Sequence, residues 1–149
     1  MSGASTSVKP GDGATGEFSL DSRLAQDTVP VAALALCTVL LMKDARFPWL
    51  ILVPRRAGAV EILDLSPGDQ ARLGAEITQC AEILRAVATP LKLNIGALGN
   101  IVRQLHVHIV ARNEGDAAWP GPVWGSGAAA PYDDVALAAL LADLRARFA

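Results

Sequence analysis

The run Gln104-Leu105-His106-Val107-His108-Ile109-Val110 alternates polar and apolar side chains before ending on two aliphatics. Alternation of this kind suits a strand and not a helix, because successive side chains on a strand point to opposite faces. Leu105, Val107 and Ile109 then enter a core, and Gln104, His106 and His108 share the other face. The chain has 2 histidines, and both sit in this run. Imidazole is the side chain best suited to act as nucleophile, base or metal ligand near neutral pH. The fold must therefore hold a sheet that packs one face and presents this polar row on the other.

The rest of the chain supplies the material for such a sheet. Its 149 residues suffice for one domain with a sizeable core, and 52% are hydrophobic against 19% charged. A net charge of −2 offers no basic field of the kind that dominates nucleic-acid binding. Cys37 and Cys80 lie in apolar contexts with no metal-ligand spacing, which favours buried free thiols over a disulfide. The longest apolar run, Val29 to Met42, is too short for a membrane span. No charged segment followed by an apolar one opens the chain, so a cytoplasmic protein is expected.

Residues 1–16, rich in Gly, Ser, Thr and Ala, read as a mobile tail, and the domain as residues 17–149. Leu34–Met42 and Trp49–Val53 read as strands of a hairpin, with Pro54 ending the second and Arg55 and Arg56 following. Val60–Leu65 reads as a short extended piece. Ser66 caps a helix, Pro67 suits its first position, and Asp69 completes a capping-box-like pair. Leu73, Ile77, Cys80, Leu84 and Val87 form its apolar stripe, and Thr89-Pro90 stops it. Leu91–Leu98 is a strand with Leu91, Leu93, Ile95 and Ala97 toward the core and Lys92, Asn94 and Gly96 opposite. The histidine strand follows and runs to about Arg112. Gly and Pro cluster from Gly115 to Pro131 around Trp119 and Trp124, and a last helix spans Tyr132 to Phe148. The expected class is α+β: an antiparallel sheet of about five strands, one long helix after the second clear strand, and a C-terminal helix. Pairing Leu91–Leu98 with Gln104–Arg112 brings Asn94 beside the histidines on an open face, where Gly96 and Gly99 let a ligand approach the backbone.

The combination Asn94-Ile95-Gly96, Gly99-Asn100 and Gln104-Leu105-His106-Val107-His108-Ile109-Val110 resembles the histidine triad family of nucleotide hydrolases and transferases. The family motif is His-φ-His-φ-His-φ-φ, with φ apolar. The resemblance extends to Leu50-Ile51-Leu52-Val53-Pro54-Arg55-Arg56 and to Ala118-Trp119-Pro120, and covers most of residues 17–149. Gln104 departs from it at the first triad position, and is similar in this to a bacterial branch described as diadenosine-polyphosphate-hydrolase-like. The resemblance implies that His106, the middle position, attacks the α-phosphorus of a nucleoside phosphoramidate, phosphoanhydride or dinucleoside polyphosphate. A nucleotidyl-imidazole intermediate then forms and water hydrolyses it. It further implies that the Gln104 carbonyl holds the second ring nitrogen of His106, and that His108 and Gln104 donate to phosphate oxygens. Asn94 and Asn100 would bind substrate, and Asp44 would reach the ribose. No cofactor or protein-bound metal is required, though a divalent ion accompanies a polyphosphate substrate. The implied partner besides the nucleotide or dinucleotide is a second copy, in a homodimer paired through the central helix and the Leu91–Leu98 edge; nucleic acid and membrane are not expected.

Plainer readings stand beside these. Two histidines at i and i+2 chelate zinc only with further ligands, and Glu114 and Asp116, the close acids, lie past the strand. Arg55 and Arg56 fit a solvated strand end better than a phosphate clamp. Arg112 reads as surface, and Trp119 and Trp124 either close the core or line a partner's pocket. The alternative function is a nucleotide-binding or interaction module with little turnover.

Overall fold

Residues 16–149 are described by the computed structural model of the chain; the expected tail lies, but for Gly16, outside them. Five strands form one antiparallel sheet: β1 (Thr28–Ala33), β2 (Cys37–Met42), β3 (Trp49–Pro54), β4 (Lys92–Gly96) and β5 (Val107–Arg112), in the order β1-β2-β3-β5-β4. Three helices accompany them: α1 (Ser22–Asp27), α2 (Pro67–Ala88) and α3 (Asp134–Phe148). The α+β class, the long helix and the C-terminal helix are as the sequence predicts. Trp49–Pro54, the second strand read from the sequence, is the third in the chain because the apolar run before it folds into two strands.

That turn is the main correction at the level of elements. Leu34–Met42 is not one strand: Leu34 N–H donates to Cys37 O at 2.8 Å and the chain reverses. No Gly or Pro marks the reversal. The buried Glu76 of α2 accepts from Leu36 N–H at 2.8 Å and Cys37 N–H at 2.9 Å, so a distant carboxylate satisfies the turn's donors. Pro30 is tolerated because β1 is an edge strand, and the register shifts beside it. Residues 60–65 are not extended either. Asp64 accepts from Val60 N–H at 3.0 Å and Glu61 N–H at 2.8 Å, which winds Ile62–Asp64 into a 3-10 turn.

Helix α2 starts as expected, with Ser66 Oγ accepting from Asp69 N–H at 3.1 Å. The Asp69 carboxylate does not return to the cap; it pairs with Arg56 at 2.7 Å. Leu73, Cys80 and Leu84 of α2 and Leu141 and Leu144 of α3 pack on Leu50, Leu52, Val107, Ile109 and Ala111. Cys37 and Cys80 are free and buried in the same cluster, and burial pushes the Cys80 thiol up to about 12.

The second face of the sheet is covered too. Leu40, Trp49, Ile51, Val53 and Val110 pack there against Leu24 of α1, Phe47 and Val123. This explains why every residue of β3 and β5 is buried, His108 and Arg112 included: the strands are covered on both faces. The histidine face is therefore not an open sheet surface. Helix α1 and the 113–131 segment roof it, leaving a cavity. The edge strand β4 departs in the other direction: Ile95 in it and Leu91 just before it, both expected in the core, are 50% and 64% exposed.

Candidate active site

Strand β5 lies between β3 and β4, with His108 opposite Ile51 on one side and Gly96 on the other. His106 precedes the strand by one residue, and Leu105 N–H, bonded to Ala59 O at 2.9 Å, pins the chain there. The two imidazoles pack edge to face with ring centroids 4.8 Å apart, and both are buried. They line a cavity of about 670 Å³, within the range of small-molecule sites. Arg23, Asp27, Arg46, Asn100 and Trp124 are also in its wall.

Hydrogen bonds define each ring. His106 Nδ1 lies 2.7 Å from Gln104 O. A carbonyl only accepts, so Nδ1 carries the proton, and in the neutral ring Nε2 keeps its lone pair. His108 is the reverse. Trp49 Nε1–H donates to His108 Nδ1 at 3.0 Å, and an indole nitrogen is a donor only. Nδ1 of His108 is thus unprotonated, and its proton sits on Nε2. Burial, and secondarily the neighbouring His106, push the His108 pKa down to about 4. One ring is set to offer a lone pair and the other to offer a proton, in a shared cavity.

The remaining sequence-predicted residues are placed less simply. Gln104 does not face the cavity: its Nε2 donates to Ser19 O and its Oε1 accepts from Asp21 N–H, each at 2.8 Å. Its side-chain donor is already used, against the expectation of a phosphate contact. Asn94 stands opposite Val110 and its Oδ1 accepts from Arg112 Nη1 at 2.9 Å, so it too is turned to a structural partner. Asn100 lines the cavity. Asp44 does as well, but it is buried and its carboxylate is bonded to Arg46 and to Ala130 N–H. Burial opposes its charge, yet those bonds, above all the one from the Arg46 side chain, hold its pKa below the usual carboxylate value. Asp44 is thus paired with Arg46 where the sequence predicts a ribose contact.

Arg112 is the clearest reversal. Far from surface, it is 1% exposed, with Nε and Nη2 on Asp116 at 2.7 and 3.0 Å and its guanidinium over the Phe47 and Trp119 rings. Asp116 in turn accepts from Ala118 N–H and Trp119 N–H, so this buried pair folds the loop that delivers Trp124. Trp124 lines its own chain's cavity, 5.3 Å from the His108 ring, and rests on Gly96. Gly96 thus makes room for an indole and not for a ligand: a Cβ there would stand 3.3 Å from Trp124. Arg55 and Arg56 are engaged within the chain. Arg55 bonds the carbonyls of the β1–β2 turn and Arg56 bonds Asp69.

Sequence reading missed Trp49, Arg46 and all of α1. Trp49 had a signal, since it starts a strand expected to lie in the sheet and shares a parity with Ile51, the residue opposite His108. Six-residue α1 had almost none beyond its Asp21 cap. Among the described residues no three His, Cys, Asp or Glu side chains are grouped as a metal site needs.

The HIT domain family model matches residues 23–115. A histidine triad protein from Bradyrhizobium japonicum superposes with a TM-score of 0.87 at 48% identity, over 89% of this chain and 98% of that one. One from Sinorhizobium meliloti 1021 gives 0.84 at 50% identity, over 87% and 96%. One from Marinobacter aquaeolei VT8 gives 0.86 at 44%, over 89% and 96%. A search of curated proteins finds no match.

Proposed function

The chain belongs to the HIT domain family, and from that premise we propose that it is a nucleotide hydrolase or nucleotidyl transferase acting at an α-phosphate through His106. The observation that carries the reading is the 2.7 Å bond from His106 Nδ1 to Gln104 O, which leaves Nε2 with a lone pair in a residue lining the cavity. In the first step Nε2 bonds to the α-phosphorus of a nucleoside phosphoramidate, phosphoanhydride or dinucleoside polyphosphate. The bond to the leaving group breaks, and that group departs with the electron pair and takes up a proton from solvent. The Gln104 carbonyl steadies the imidazolium that forms. His108 donates from Nε2 to a non-bridging oxygen, a contact worth roughly 3 kcal/mol in comparable sites. Water then attacks phosphorus and gives up a proton to solvent, the P–N bond to His106 breaks, and the lone pair returns to Nε2.

Asn100 remains the substrate-binding candidate in the cavity wall, while Asn94 and Asp44 support the site through Arg112 and Arg46. The outer edge of β4 and the exposed Leu91, Ile95, Leu98 and Ile101 support a homodimer, since a bare apolar edge strand invites pairing with another chain. The stripe of α2 supports it less, because Leu73, Cys80 and Leu84 are already inside the chain's own core. No helix among the described residues is long and apolar enough to cross a membrane, and a cytoplasmic site of action fits the free thiols. The second reading, nucleotide binding with little turnover, draws on Gln104, whose amide is turned away from the cavity.

His106→Asn should abolish hydrolysis of adenosine phosphoramidate while AMP still binds and the circular dichroism is unchanged. Rapid quench of the wild type should trap an acid-labile adenylyl adduct on His106. Turnover in the variant, or an adduct on His108, overturns the mechanism. AMP binding with no adduct and no product selects the second reading.

A further inference from the structure

Gln104 joins two parts of the site that are far apart in sequence. Its main-chain carbonyl holds His106, while its side chain holds Ser19 and Asp21, 85 and 83 residues away. An amide places a donor and an acceptor side by side in one plane, as a backbone strand does. It therefore grips a carbonyl and an N–H that flank one residue, here Leu20. The two nitrogens of an imidazole point in diverging directions and cannot make this pair.

The gripped segment leads directly into α1. Asp21 caps that helix, its carboxylate accepting from Arg23 N–H at 2.8 Å and its carbonyl from Ala25 N–H at 3.0 Å. A six-residue helix has no stability of its own and needs fastening at both ends. Lys43 fastens the far end, with its N–H on Asp27 O at 2.9 Å and its Nζ on Gln26 O at 3.0 Å. Gln104 fastens the near end. Between them Leu24 is buried in the second core, and Arg23, Gln26 and Asp27 face the cavity. With Asp44 paired to Arg46, Arg23, Gln26, Asp27 and Asn100 are among the polar residues lining the cavity toward a bound nucleoside.

We propose that Gln104 is a positioning residue that holds α1 as the nucleoside-binding wall of the cavity, so that the first triad position governs nucleotide affinity and not the chemical step. The proposal rests on the nucleotide reading above for its ligand, and on the two side-chain hydrogen bonds for its structure.

The test compares the full-length wild type with Gln104→Met, which keeps the length and removes both bonds, and with Gln104→Glu, which keeps the acceptor for Asp21 N–H. Three quantities are read: native-state tryptic cleavage after Arg23, the AMP dissociation constant, and kcat and KM on adenosine phosphoramidate. Q104M should raise the cleavage rate and the AMP dissociation constant by roughly tenfold, as loss of one partly buried and one exposed hydrogen bond suggests. The loss of activity should fall on KM in both variants, because Q104E keeps the acceptor for Asp21 N–H but sets a second acceptor against Ser19 O. A fall in kcat with AMP affinity unchanged would make Gln104 a phosphate donor and overturn the proposal. So would cleavage after Arg23 at the wild-type rate in both variants. If the wild type neither binds AMP nor turns over the phosphoramidate, the nucleotide reading falls and takes the affinity claim with it. The cleavage rates then still decide whether Gln104 holds the wall.

Discussion

Two residues of one type have been given opposite protonation patterns by one hydrogen bond each. The parity of His106 and His108 can be read directly from Gln104–Val110, because alternation against Leu105, Val107 and Ile109 needs no knowledge of the tertiary structure. Their tautomers cannot, since one depends on a carbonyl two residues back and the other on Trp49, 59 residues away. Trp49→Phe isolates that dependence: it keeps an aromatic ring and removes the N–H that obliges His108 Nδ1 to accept. The expected outcome is a mixture of His108 tautomers by nitrogen NMR and a kcat lowered roughly tenfold or more, part of what losing such a donor costs. A single Nε2–H tautomer in the variant would show that the indole does not set it. Gln104 carries the same lesson. Its place in the motif is visible in the sequence, but the direction of its side chain is set by Ser19 and Asp21.

At the level of elements, the sequence is clearest where a helix or strand carries its own signals. Ser66-Pro67 and the spacing of Leu73, Cys80 and Leu84 define α2 without outside help. The β1–β2 turn has no such signal, because the groups that close it belong to α2. Glu76→Gln tests this. The amide keeps the shape, but only one of its two polar atoms can accept, and its NH2 is set against a backbone donor. Buried as it is, the change should cost about 2–4 kcal/mol, measured by urea unfolding, with slower loss of amide protection elsewhere in the sheet than at Leu36 and Cys37. A cost under about 0.5 kcal/mol would mean the turn closes without Glu76. The β4–Trp124 contact is a second place where one element limits another. Gly96→Val should drive the indole off the strand and toward His108, lowering both stability and AMP affinity. Unchanged indole fluorescence and affinity would show that the loop yields freely.

For the whole molecule, the site and the second core are one body, so the chemistry of the site is written into stability. The buried His108 binds a proton only near pH 4, whereas in the unfolded chain an imidazole takes one up near pH 6.5. Between those values the unfolded chain holds the extra proton, so stability rises with pH there. The contribution is complete above about pH 6.5 and is lost as pH falls toward 4, a change of roughly 3 kcal/mol at most. Asp116 acts below that window. Its bonds from Arg112, foremost, hold the carboxyl well under the usual carboxylate range, so its share persists through pH 4 and disappears only as pH falls further. Urea midpoints taken from pH 7 to pH 4 should therefore begin to decline in the wild type above about pH 5.5, before carboxylates of ordinary pKa titrate. His108→Asn, which has no proton to bind in either state, should flatten the decline between pH 6.5 and 4 and leave the steeper loss below it. An undiminished slope in that variant would move the acid sensitivity to other groups and break the link between the buried, proton-donating His108 and the stability of the fold around it.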